Sequence, residues 1–291
     1  MGFALTVVFY LAAAVVGTIV FRAAPFGFVL KVLIADVAAT VFLFIISLIM
    51  NNASVYDPYW SIAPIVILAL GMYHFDAITT GNILLLLVVG YWGIRLTANW
   101  AYTFKGYAYQ DWRYDMFKEK TGRLFPLVSL FGIMLFPTLV VFSCLLPVLL
   151  YLQDSKVRFL TVIGFLVCAG GATLQLVSDI QLQKFRRSST DRSQIIRVGL
   201  WKHSRHPNYL GEILMWWGVC LIAVSALPFQ LLLFAGAFIN MLMFVFISIP
   251  MAENRLSSYK LNFEEYKNET RMLIPIRRFR NEDNQCEESS S

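Results

Sequence analysis

The chain reads as an all-α, polytopic membrane protein with about seven to eight transmembrane helices. Three observations predict this. Hydrophobic residues make up 58% of the 291 residues and charged residues 14%, where a soluble chain carries about a quarter charged residues. The apolar residues fall in runs of roughly 20, the length that crosses a hydrocarbon core. The basic residues cluster between runs: segments 104–124, 181–207 and 251–291 hold 5, 7 and 7 Lys/Arg, 19 of the 24 in the chain, the asymmetry of the positive-inside rule.

Taken in order, the spans are expected at about 3–22, 28–50, 62–79, 82–103, 125–151, 158–180, 208–225 and 228–250. No basic region precedes Phe3 to Val20, so this run is read as the first span rather than a signal peptide. The 62–79 run is short. The 125–151 run carries Pro137 and Pro147, which are expected to kink or split it. An even number of spans places both termini and the three basic segments in the cytosol, with Arg22 and Lys31 on the other side. The polar loop Asn51–Trp60 then faces the basic segments, and the sequons at Asn52 and Asn268 escape glycosylation. These runs do not say which membrane; the expectation is the endoplasmic reticulum for a eukaryotic chain and the plasma membrane for a bacterial one. Lys260–Pro275 is expected to lie on the membrane surface, and the acidic, Ser-rich 281–291 to be disordered. This divides the chain into N-terminal membrane helices 1–124, a C-terminal membrane domain 125–280, and the tail 281–291.

Some chemistries are disfavoured. Cys144, Cys168 and Cys220 lie in apolar runs and Cys286 in the tail, without metal or redox spacing. The three histidines, 74, 203 and 206, are scattered. No metal site and no nucleic-acid partner are expected.

Polar groups at span ends are costly and mark candidate sites. Asp179, Gln183 and Arg186 are spaced i, i+4, i+7 and share one helical face; an interfacial helix end with snorkelling basic side chains accounts for them equally well. The stretch Gly199–Glu212 adds Arg205, His206, Asn208, Tyr209 and Glu212 at the mouth of the next span. Asn208 and Glu212 are i, i+4 neighbours there. Arginines suit phosphates, while a carboxylate and a carboxamide suit ribose hydroxyls or a nicotinamide carboxamide. A solvated basic loop explains the cations but not Glu212. Glu253, just past span 8, could close a polar pocket from the other side, or be a boundary residue. In the N-terminal half, Asp57 stands beside Tyr56, Tyr59 and Trp60, and Arg95, Asn99 and Tyr102 share a face of span 4. A carboxylate with a tyrosine near a substrate carbonyl is sensible acid chemistry; belt aromatics and interhelical pairs are the plainer account.

The run Ser178-Asp179 with Arg186, Gly199-Leu200, Ser204-Arg-His-Pro-Asn-Tyr-Leu-Gly-Glu212, Phe263-Glu-Glu-Tyr266 and Leu273-Ile-Pro275 resembles the C-terminal domain of steroid 5-alpha-reductases. It is more closely similar to microbial membrane relatives of those enzymes. The likeness covers about residues 175–275. Its Arg-His-Pro-x-Tyr-x-Gly core is shared with isoprenylcysteine carboxyl methyltransferases, which use S-adenosylmethionine; Asn208 and Glu212 favour the reductase side.

The resemblance implies an enzyme that uses NADPH to reduce a carbon–carbon double bond of an enone or enoyl group. The lipophilic substrate, a sterol, polyprenyl or fatty-acyl lipid, would enter from the bilayer. It implies that Asp179 and Arg186 contact the dinucleotide, with Arg197 and Arg205 on its phosphates. Asn208 and Glu212 would hold the nicotinamide end, with His206 and Tyr209 in the same motif. Gln175 stands where the reductases have Asn, and Tyr259 matches a tyrosine of the cofactor pocket whose accompanying histidines are absent, Arg255 standing near them. Asp57 is the stand-in for the catalytic carboxylate, and Tyr59 or Tyr102 for the phenol. Two alternatives stay open: an S-adenosylmethionine-dependent membrane methyltransferase, and a non-catalytic membrane lipid-binding protein.

Overall fold

The computed structural model describes residues 2–189, 191–226 and 230–275; the expected disordered tail, with Cys286, lies outside them. Twelve α-helices are present among the described residues. They are α1 (Gly2–Ala23), α2 (Phe28–Met50), α3 (Tyr59–His74), α4 (Thr80–Thr103), α5 (Trp112–Thr121), α6 (Phe125–Val128), α7 (Phe136–Tyr151), α8 (Phe159–Ser188), α9 (Pro207–Val224), α10 (Ala235–Met243), α11 (Ile249–Ser257) and α12 (Phe263–Glu269). The described residues contain no strand, only an isolated bridge between Ser204 and Arg271. Among the described residues, eight helical stretches are long and apolar enough to cross a membrane, and the protein is an integral, multi-pass membrane protein.

The expected and observed spans differ where polar side chains intervene. The third runs over Ala53–His74 instead of 62–79. Thr79 ends the preceding turn by capping α4, its hydroxyl accepting from the Asn82 amide at 3.2 Å, so 75–79 is a connection and not helix. The Asn51–Trp60 stretch is not a solvated loop. Asn51 caps α2 in the left-handed conformation, and residues 53–56 form a buried 3-10 turn. The Asn52 side chain makes that burial possible by donating to the Tyr107 and Tyr109 carbonyls, each at 2.9 Å, and accepting from the Ser54 amide.

The prolines do not split their spans. The helical run from Trp112 to Asp154 is unbroken, and Pro147 sits inside α7. Ahead of Pro137 the ladder widens to a π-helix over Ser129–Leu135, where the Phe136 amide reaches back to the Phe131 carbonyl. The same device precedes Pro250: Phe244–Ser248 is π-helical and the Ile249 amide bonds the Phe244 carbonyl. A proline lacks the amide that a normal i−4 carbonyl needs and its ring crowds that carbonyl. A π turn just before it re-spaces the pairing.

The chain forms two compact units, Met1–Ala172 with Ile213–Leu242 and Thr173–Glu212 with Met243–Ser291. In lipid, helix association depends on close packing rather than on apolar burial alone. In the first unit, α8 and α9 meet at glycines: a Cβ on Gly164 would lie 2.8 Å from the Gly218 carbonyl, and one on Gly218 would lie 2.6 Å from the Cys168 sulfur. Around that seam lies a core that includes Trp92, Leu145, Leu149 and Trp216, with the two indoles edge to face at 5.0 Å. A second cluster joins α1, α2, the 53–56 turn and the π segment through Ala13, Leu43, Val55, Tyr56 and Met134.

Candidate functional site

In the second unit, α8 continues through Ser188, eight residues beyond the expected end of its span. That makes the Asp179, Gln183, Arg186 face continuous helix. The chain returns along α8 by way of Gly199, whose φ is +59°; a Cβ there would strike the Gln181 amide group at about 2.7 Å, so the turn requires glycine. The turn is fastened at both ends. Gln181 Oε1 accepts from the Leu200 amide at 2.9 Å, and the Trp201 indole donates to the Ser178 carbonyl at 3.1 Å. From the C-terminal side the Tyr266 hydroxyl donates to the Trp201 carbonyl at 2.5 Å. Burial pushes that phenol up from its usual range, against the pull of Arg205 and Arg197.

The next residues form a clasp. Arg205 Nε donates to Glu253 Oε1 at 2.8 Å, with the two side chains 8% and 12% exposed. Arg205 NH1 donates to the carbonyls of Lys267 (3.0 Å) and Thr270, and its backbone amide bonds the Arg271 carbonyl at 2.9 Å. His206 Nε2 lies 3.0 Å from the same Glu253 oxygen. Its ring stacks on Tyr209, with centroids 5.3 Å apart and planes 4° from parallel, and Tyr209 packs on Phe244 at 4.9 Å. Arg205, His206, Tyr209 and Glu253 therefore act together, locking the start of α9 to α11 and the segment after α12. Arg205 Nε and NH1 are committed inside the protein. Arg197 is likewise engaged, by Glu265 at 3.1 Å, Glu269 at 3.2 Å and the Asn262 carbonyl.

Just inside α9 lies a different environment. Gln175 and Glu212 are both buried, and Gln175 Nε2 donates to Glu212 Oε2 at 2.9 Å. Asn208, one turn before Glu212, has a buried Oδ1 with no hydrogen-bond partner among the described residues. A buried amide acceptor left unmatched costs stability; the Oδ1 atoms of Asn82 and Asn240 are unmatched among the described residues as well. Arg186 and Lys184 are exposed on α8. Lys260, reached by the field of Arg186 and partly buried, has its pKa lowered, burial first; its ammonium holds the Arg192 and Gln194 carbonyls and sits 5.2 Å over the Tyr259 ring. Tyr259 itself is half exposed.

In the first unit the expected acid residues are placed differently from one another. Tyr59 donates to Asp36 Oδ1 at 2.7 Å, not to Asp57. Asp57 accepts instead from the Tyr114 hydroxyl at 2.6 Å. Tyr56 and Thr138 share a hydrogen bond of 2.7 Å, continued to Thr40 at 3.0 Å, and the Tyr10 ring meets Tyr59 edge-on at 6.0 Å. Tyr102, at the end of α4, is 51% exposed. Asp36 was missed: a lone carboxylate inside the α2 run, it is 8% exposed and 23 positions from its partner. A buried carboxylate within a membrane run is itself a signal. No group of three or more His, Cys, Asp or Glu among the described residues is placed to hold a metal.

The fold and these two polar sets define an all-helical, multi-pass membrane protein with a C-terminal unit built around an Arg-His-Pro helix mouth. The chain belongs to the family described as protein of unknown function (DUF1295), whose model matches residues 43–270 and which is the steroid 5-alpha-reductase-like family. It is similar to 3-oxo-5-alpha-steroid 4-dehydrogenase 1 of Macaca fascicularis, 32% identical over 119 residues, and to that of Homo sapiens, 31% identical over 119 residues. Each match covers 41% of this chain; it spans 41% of the macaque and 42% of the human protein, about two fifths of their length. No solved structure matches the chain.

Proposed function

We propose that the protein is a membrane reductase that uses NADPH to saturate a carbon–carbon double bond conjugated to a carbonyl in a lipophilic substrate. The observation that carries this reading is the unmatched Asn208 Oδ1 one helical turn from the buried Gln175–Glu212 pair, in a chain whose relatives are named as steroid dehydrogenases. A nicotinamide carboxamide has N–H donors that suit this acceptor. NADPH, when bound, supplies the hydride. Asn208 would orient the carboxamide, and Gln175 donates to Glu212 at the same end. Asp179 and exposed Arg186 and Tyr259 would serve the rest of the dinucleotide. Arg205, His206, Tyr209 and Glu253 would position α9 and contribute no direct phosphate contact through Arg205 Nε or NH1.

The N-terminal helices would take the substrate. Tyr59, with Asp36 as its partner, is the proposed proton donor to the substrate carbonyl oxygen: its O–H, directed at Asp36, would turn to that oxygen and leave a phenolate to be reprotonated from solvent. Asp57 with Tyr114 is the neighbouring pair. In this reading the basic segments face the cytoplasm, where the dinucleotide is available.

The test is a thermal shift of the purified protein with NADPH, NADH and S-adenosylmethionine. NADPH at about 100 times its Kd adds about 2.7 kcal/mol to the folded state. We expect a rise in Tm with NADPH that is lost in Asn208→Leu and Glu212→Ala. Absence of a shift with wild type refutes the reading, and a shift with S-adenosylmethionine alone replaces it with the methyltransferase.

A further inference from the structure

A recess lies at the end of α2, in the first unit. There Asn51 has φ 48° and the chain turns into Asn52 and Ala53. Against it comes the end of α5, with Lys118 and then Gly122 at φ 51° and Arg123. Together with Ser47 and Ser129 these residues line a cavity of about 310 Å³.

The polar lining of this cavity is one-sided: it holds two cations and no carboxylate. Lys118 Nζ is held in place by Asn51 Oδ1 at 2.9 Å. Arg123 is exposed and enters no ion pair among the described residues. Ser129 is 2% exposed, and its hydroxyl has no hydrogen bond among the described residues although it lines the cavity. Leu48 lines the recess, and Ile49, Leu124 and Leu127, each next in sequence to a lining residue, present exposed apolar side chains.

We propose that this recess binds the phosphate of one anionic phospholipid. Arg123 and Lys118 take the phosphate oxygens, as guanidinium and ammonium groups do, and the Ser129 hydroxyl donates to the same anion. The acyl chains lie along Leu48, Leu124 and Leu127. Free inorganic phosphate offers the same anion chemistry; the apolar rim is what assigns the lipid. Basic side chains at a membrane surface attract anionic lipids. The site is independent of the reductase reading, since none of its residues belongs to the cofactor set or to the Tyr59–Asp36 pair.

Native mass spectrometry of the full chain, with phosphatidylglycerol, phosphatidylcholine or inorganic phosphate added, tests the proposal. One phosphatidylglycerol is expected to be retained in preference to phosphatidylcholine. Its retention weakens about fivefold in Arg123→Gln and again in Lys118→Gln, while Lys156→Gln, in the α7–α8 connection, leaves it unchanged. Arg123 is exposed, so its replacement leaves packing alone, and an unaltered NADPH response in the same variant separates this outcome from any failure of the reductase reading. Retention unchanged in Arg123→Gln, or equal retention of the two lipids, overturns the proposal. A Tm rise with inorganic phosphate that matches the rise with phosphatidylglycerol reassigns the site to a free anion and overturns the lipid.

Discussion

Replacing Glu253 by Ala tests whether the Arg-His-Pro mouth is a clasp rather than an open phosphate site. Glu253 Oε1 receives Arg205 Nε at 2.8 Å and lies 3.0 Å from His206 Nε2, and the arginine and glutamate side chains are 8% and 12% exposed. Removing one partner of such a pair strands the other charge away from water and costs about 3–5 kcal/mol. The lower end applies, about 3 kcal/mol, because Arg205 NH1 keeps the Lys267 and Thr270 carbonyls. At about 2–4 °C per kcal/mol for a chain above 150 residues, Tm should fall by roughly 6–12 °C. Glu253→Gln keeps an acceptor at the same place and loses only the charge assistance, so it should cost about 1–1.5 kcal/mol, the difference between charged and neutral hydrogen bonds. Thermal unfolding of the detergent-solubilised protein reads both, and a double-mutant cycle with Arg205→Ala isolates the pair. A drop of less than 2 °C in Glu253→Ala would show that the clasp holds nothing, and would return Arg205 to the role of a ligand for phosphate.

Other expectations follow from the same geometry. Tyr59→Phe removes the donor to buried Asp36, which costs about 1–3 kcal/mol in stability; if the proton-donor reading holds, NADPH oxidation with a turned-over enone falls in kcat with the NADPH thermal shift retained. Gly199→Ala places a Cβ against Gln181 at positive φ, costing at least the 1–2 kcal/mol of left-handed strain, and a Tm unchanged by this variant would contradict the turn described. Gly218→Ala and Gly170→Ala form a paired test in membrane helices: the first puts a Cβ 2.6 Å from Cys168, while the second meets nothing within 4 Å. Gly218→Ala should lower Tm, and Gly170→Ala should raise stability by about 0.4–1 kcal/mol; equal effects would mean that the α8–α9 seam is not close-packed.

Several features were legible from local pattern alone. The α2 bounds, the eight apolar runs and the i, i+4 adjacency of Asn208 and Glu212 all depend on residues within one or two helical turns, where periodicity and run length carry the information. The start of the third span and the fate of Asn51–Trp60 were not legible, because Asn52 makes that turn buriable only by bonding carbonyls 55 and 57 positions away. Pro137 signalled a disturbance in its helix but not its form, a π turn placed just ahead of it, and the same turn ahead of Pro250 was not anticipated.

For the sites, the chain composition and its basic segments determined a multi-pass membrane protein, and the Gly199–Glu212 stretch determined where its polar residues concentrate. Tertiary structure decided which partners those residues take. Arg205 looks from its neighbours like a phosphate ligand, yet its partners are Glu253 and carbonyls more than 60 positions away. Tyr59 looks like the companion of Asp57, two residues off, yet it bonds Asp36 on another helix. The physical reason is common to both. Among membrane helices a buried polar group must find its partner wherever packing brings one, and that choice is made across helices, at sequence distances that no local pattern encodes.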